Sequence, residues 1–161
     1  MADDSKNGTT RYTGALDTKQ VIGASKCVTM VSTVEVTAAA SANSIYTMFR
    51  IPAHMRIMGR STIYWDDLAS TGAPTLDVGL KAVDANITSD VDALNDGLDC
   101  ATAAGSASVV KDIANYGKEA WRHVNGQTTN PGGFLDVTVA ILDAATNTGG
   151  TITVELIGYI D

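Results

Sequence analysis

The chain has 161 residues, a formal net charge of −7, 45% apolar residues and only 18% charged ones. That length suits one domain able to bury a core without metal or disulfide staples. Its 11 Lys and Arg residues are scattered among 18 Asp and Glu residues, which excludes the clustered basic surface that replaces phosphate counterions, so no nucleic-acid partner is expected.

Residues 1–25 are polar and rich in Gly and Thr, too thin in apolar content to order themselves, and predict an extended N-terminal arm. No apolar h-region opens the chain, and no apolar run approaches the roughly 20 residues needed to span a bilayer. The expectation is a soluble protein made in a cytoplasm, with no membrane partner.

From Lys26 to Asp161 the pattern predicts one β domain. Val28, Met30, Val34 and Val36 alternate with polar or β-branched residues, a long strand. Ala38 to Asn43 reads as a turn or a single helical turn. Ser44 to Ile51 reads as a second strand, with Ile45, Thr47, Phe49 and Ile51 on one face and Tyr46, Met48 and Arg50 on the other; Pro52 ends its ladder. A third strand runs from Met55 to Trp65, where Gly59 predicts a bulge or a close backbone approach. Thr75 to Val83 is the fourth. Asp84 to Ala104 carries no strand pattern, and Asp92 to Gly97 suggests a helical turn stopped by glycine. Ser106 to Tyr116 fits a short helix through Val109, Val110, Ile113 and Tyr116, while Glu119 to Val124 fits a short strand. Asn125 to Gly133 is a loop. Leu135 to Ile141 and Ile152 to Ile160 alternate about a polar bridge and read as a closing antiparallel hairpin. Seven or eight strands in all predict two packed sheets, an all-β antiparallel sandwich of jelly-roll-like form.

Catalytic sets are missing from this pattern. His54 and His123 stand without the nucleophile and orienting group that acyl-transfer chemistry needs, and both read as surface or interface residues. Asp84, Asn86, Thr88, Asp90 and Asp92 alternate like the start of a calcium loop, yet Ser89 and Asn95 occupy the positions where an EF-hand needs Gly and Glu. Turn-forming side chains are the reading preferred there, so no metal and no cofactor is assigned. Cys27 and Cys100 read as buried free thiols. Trp65 and Trp121 read as core or interface filler rather than a sugar platform. Arg50, His54, Arg56 and Arg60 form the densest basic set, read as a solvated strand face or a partner contact.

The runs Ser61–Leu68, Pro74–Leu80, Asp92–Leu98, Ile113–Lys118 and Asp136–Leu142 resemble small structural proteins of tailed-phage head-gene clusters. The likeness is of texture over most of the chain after Lys26, not of an active-site motif. It implies a decoration, or cement, protein on the exterior of the virion, bound to the major capsid protein, self-associating as a homotrimer and carrying no catalytic residues. On that reading the shell contacts fall on Arg11, Tyr12 and Leu16 of the arm and on Arg50 and Arg56. Two other readings stay open: a tail or head–tail connector subunit, and a carbohydrate- or calcium-binding attachment module.

Overall fold

The computed structural model describes residues 6, 7, 9–12 and 26–160. They form two β-sheets packed face to face. The first has the order β1 (Lys6–Asn7), β4 (Ile45–Pro52), β10 (Phe134–Leu142), β7 (Thr75–Ala82), β8 (Asp90–Asp99). The second has the order β2 (Thr9–Tyr12), β3 (Lys26–Val36), β11 (Gly150–Ile160), β6 (Thr62–Trp65), β9 (Gly105–Ser108), with β5 (Arg56–Ile57) also paired to β11. They are called sheets A and B below.

From β3 onward, with β5 and β6 counted as one interrupted strand, the chain is a jelly roll. Only β7 and β8 are consecutive neighbours in one sheet; every other connection in this set crosses between sheets. The expected closing hairpin is therefore corrected. β10 and β11 both have strand periodicity, but β10 pairs with β4 and β7, whereas β11 pairs with β3 and β6. Their linker passes from sheet A to sheet B, and each is the central strand of its own sheet.

Side chains from the two inner faces fill the core. Leu135, Val137, Val139 and Ile141 of β10 face Ile152, Val154 and Leu156 of β11, joined by Met30 and Val34 from β3 and Leu76, Val78 and Leu80 from β7. β4 changes face midway. Val137 pairs with Phe49 and Thr138 with Thr47, so Met48 is an extra residue in the ladder. Tyr46, Met48, Phe49 and Ile51 are all buried as a result, and the strict alternation expected for this strand gives way to a bulge.

Side-chain bonds tie the crossing loops together at one end of the sandwich. Thr146 Oγ1 accepts from Ala40 N and donates to Thr37 O, and Asn147 Oδ1 accepts from Ser70 N at 2.7 Å. Asp66 Oδ2 accepts from both the backbone and the hydroxyl of Thr151. In sheet B the expected third strand is broken at Met58–Ser61. There Ser61 Oγ accepts from Ile157 N and donates to Ile157 O, replacing the missing ladder against β11.

Three local expectations are corrected. Asp90 to Asp99 is a strand despite its turn-like composition: it lies on the edge of sheet A with two register shifts, and it is tied sideways by Asn95 Nδ2 donating to Ser108 O and by the Gly97 backbone N–H donating to Asp77 Oδ1. Gly97, at φ 71°, permits one of those bends. Ser106 to Tyr116 is not a helix but β9 followed by a 3-10 turn over Ile113–Asn115. Glu119 to Val124 is not a strand beyond a single bridge from Glu119 to Arg56; it closes as a 3-10 turn over Ala120–His123, whose period of three puts Trp121 and Val124 inside together.

Gly79 lies on the outer side of β7, and a Cβ there would sit 2.3 Å from Val91 O and 2.5 Å from Asp90 O. The start of β8 therefore rests directly on glycine backbone. A Gly79→Ala variant should lose about 1–3 kcal/mol of stability in urea unfolding, with faster amide exchange confined to residues 90–94. A change within about 0.5 kcal/mol would show that this contact is slack.

Candidate interaction surfaces

Sheet B presents an outer face rich in threonine and β-branched residues. With Met30, Ser32, Val34 and Val36 turned inward, β3 shows Thr29, Val31, Thr33 and Glu35, and β11 shows Thr151, Thr153, Glu155 and Ile157. Thr33 and Thr153 hydroxyls meet at 2.8 Å across the ladder. β-branched side chains cover a pleated surface well and leave little for water to solvate.

Sheet A is different. Arg50 forms a two-pronged pair with Asp136, at 2.9 Å and 3.3 Å, and that carboxylate raises the guanidinium pKa further. Asp77 is pushed up by burial and by the nearby charges of Asp96 and Asp143, only partly offset by the Gly97 N–H. Burial also pushes Asp90 up, but hydrogen bonding with Asp92 and from Asn125 N outweighs it and holds Asp90 low, while the neighbouring Asp90 carboxylate and burial raise Asp92. A hollow of about 170 Å³ opens beside Asp90, lined also by Ile45, Leu80, Lys81, Ser89, Val91 and Thr138.

The acidic stretch examined for calcium is spread over separate braces. Asp84 Oδ1 accepts from Phe134 N, Ser89 Oγ from Ala82 N and Asp90 Oδ2 from Asn125 N. Among the described residues no three carboxylate, thiol or imidazole groups converge as a metal site requires.

The basic residues singled out in the sequence do not form one site. Arg50 stands on sheet A; Arg56 lies in β5, opposite Tyr159 of sheet B, with Nη1 donating to Gly117 O. Arg11 and Tyr12 take register positions opposite Val31 and Met30 at the edge of sheet B, and Leu16 lies outside the described residues. Cys100 is buried and its thiol is pushed up to about 11, mainly by burial. Cys27, by contrast, is exposed, because it takes an outward position on β3. Trp65 and Trp121 are 9% and 5% exposed, and Arg122 stacks 4.8 Å from the Trp121 ring centroid.

One feature escaped the sequence reading. Ile113, 77% exposed, projects from a tightly braced turn. Asp112 Oδ1 caps Ala114 N, Gly117 N bonds Ile57 O, and Lys118 Nζ bonds Asn115 Oδ1 at 2.6 Å. The Tyr116 ring lies flat on Gly59, where a Cβ would fall 2.0 Å from Cδ2. Its hydroxyl bonds Ser108 Oγ.

No protein-family model and no curated protein matches the chain. Two solved structures share its fold. A chain of the cyanophage Pam1 capsid asymmetric unit superposes with a TM-score of 0.57 at 19% identity, covering 86% of each chain. A chain of the capsid of Ralstonia phage GP4 gives 0.54 at 20% identity, covering 81% of this chain and 84% of that one. At these identities the likeness is one of fold.

His123 is largely buried rather than on the surface, and neither ring nitrogen has a hydrogen-bond partner among the described residues. Burial lowers its pKa from 6.5 to about 4; the Lys118 backbone offsets part of this, while the Lys118 charge adds to it. The unfolded chain therefore takes up this proton at higher pH than the folded one. Stability from this group is complete above about pH 7 and is lost as the pH falls through 4, by up to about 3 kcal/mol. Urea unfolding should show a shallower loss between pH 7 and 4 for His123→Leu than for the wild type. Equal slopes would place the imidazole in contact with water.

Proposed function

We propose that this chain is a non-enzymatic structural protein of a phage virion, a decoration protein that binds the outer surface of the capsid and braces it. The observation that carries the reading is the closed jelly roll, shared along most of its length with a chain of a phage capsid asymmetric unit. The two outer faces support it. Sheet B offers a threonine- and valine-rich face with Glu35 and Glu155, suited to lie against another protein, whereas sheet A carries the Arg50–Asp136 pair. A lone buried imidazole without an orienting partner also gives no purchase for general-base chemistry.

In this reading the major capsid protein is the partner, the chain self-associates as a homotrimer, and it is made in the host cytoplasm before joining the shell. Residues 1–25 act as the arm, with Arg11, Tyr12 and Leu16 meeting the shell, beside the domain of residues 26–161. Arg56 can join that contact from the sheet B side. Arg50 would join it from the sheet A side, where it pairs with Asp136.

Undecorated shells of the virus that encodes the chain should bind the purified protein saturably at fixed lattice positions, seen by co-sedimentation and image reconstruction. Bound shells should also release DNA at a higher temperature. Shells that take up no protein at micromolar concentration would overturn the proposal.

A further inference from the structure

Two strands end the sandwich on one side. Without β1 and β2, β4 would be the edge of sheet A and β3 the edge of sheet B, each with a row of backbone N–H and C=O groups open to pairing. Residues 6–12 cover both. Lys6 and Asn7 pair in parallel with Tyr46 and Thr47 of β4, and with only Gly8 between, Thr9 to Tyr12 pair antiparallel with Thr33 to Met30 of β3. One short segment thus bridges the two sheets. The β3–β4 edge is a strand acceptor, and the sequence it accepts is this chain's own.

Length and charge bear on which copy supplies that segment. Thirteen residues, 13–25, lie between Tyr12 and Lys26. Tyr12 stands opposite Met30, four rungs along β3 from Lys26, a gap of roughly 13 Å that about four extended residues would cross. Thirteen residues can reach roughly 45 Å, more than the width of a domain of this length. The connection is therefore far longer than its own domain needs and long enough to reach the next one. Residues 1–25 hold three basic and three acidic side chains, so the net charge of −7 belongs to residues 26–161. Lys6–Tyr12 carries Lys6 and Arg11 and no carboxylate. Two such acidic domains repel, and a cationic strand laid at their seam offsets that repulsion.

We propose that residues 6–12 of one copy seat on the β3–β4 edge of the next, so that copies are joined by exchanged arms. The rungs are the same whichever copy supplies them, so exchange breaks no pairing and adds a link between copies. Each copy has one arm and one edge, which makes the contact head-to-tail, and a homotrimer closes it into a ring. The inference rests on the reading of this chain as self-associating, and names the segment and the edge that do it. Arg11 and Tyr12 then meet the shell at the seam between two copies.

The test is disulfide trapping in full-length chains carrying Cys27→Ser, which leaves only the buried Cys100. Arg11 and Val31 stand opposite each other in the ladder, at a separation a disulfide can bridge. Arg11→Cys and Val31→Cys are placed on separate chains, which are co-expressed and oxidised. A bridge between positions 11 and 31 must then join two copies, and random mixing puts it in roughly half of the arm contacts. Neither chain alone should give it. The linked dimer is read on a non-reducing gel and the joined peptides by mass spectrometry. If Val31→Cys unfolds the domain, Thr9→Cys with Thr33→Cys reads the same ladder two rungs away. A bridge that forms only within a single chain carrying both substitutions overturns the exchange and leaves the trimer and shell binding standing. No bridge in either arrangement also overturns it, because the segment then does not occupy the edge. A wild-type chain that sediments as a monomer at all concentrations sinks both this contact and the trimer, while shell binding is judged separately by the co-sedimentation assay.

Discussion

The ladder between β3 and β11 is the constraint on which the rest of the molecule depends. Their register runs unbroken from Lys26 opposite Ile160 to Val36 opposite Gly150. These are the first and last strands of the jelly roll, so its longest pairing joins the segments most distant in sequence. Bringing them together carries the loop-closure entropy of nearly the whole domain before most of the apolar surface is buried. Once they meet, β11 supplies the ladder for β6 and β5, and its inner residues Ile152, Val154 and Leu156 give β10 something to pack against. A closed sandwich of this sort is cooperative because no sub-part owns a complete core.

That topology also separates the two outer faces. Since nearly all connections pass from one sheet to the other, loops gather at the ends, and only the start of β8 lays backbone over an outer face, at Gly79, among the described residues. Sheet B uses the freedom mostly for threonine and valine, whereas sheet A carries the Arg50–Asp136 and Lys111–Asp96 pairs. The end loops are consumed in bracing one another, as Thr146, Asn147 and Asp66 show. The end of the molecule near β5 is instead built by residues 117–121 pairing with 53–57, and this is what lifts the Ile113 turn into solvent.

Strand content was legible where apolar alternation was strong: β3, β7, β10 and β11 follow the expected positions to within a residue or so. Pairing was not legible. Alternation says that a segment has one buried face and nothing about its neighbour, so β10 and β11 looked like a hairpin although they belong to different sheets. β8 was hidden because Asp, Asn and Gly signal turns, and only sideways hydrogen bonds at a sheet edge make a strand of them. Trp121 and Val124 at a spacing of three fit the 3-10 turn in hindsight, but Trp121-Arg122-His123 also reads as alternation. Arg50 and Arg56 are close in sequence yet fall on opposite sheets, since the chain crosses between them at Pro52–Met55. Ile113 was misread: its spacing from Val109, Val110 and Tyr116 suggests a buried helical face, whereas a strand and a 3-10 turn leave it 77% exposed.

The register of β3 against β11 has a mechanical consequence. Lys26 and Ile160 sit side by side, so the domain is entered and left at one corner. Tension applied through those two points would peel the ladder open one rung at a time, the least resistant way to load an antiparallel pair. Tension applied across the broad faces would instead have to shear many rungs at once. A fold wired in this manner withstands strain best when it is gripped by its flanks and the Lys26–Ile160 corner is left unloaded.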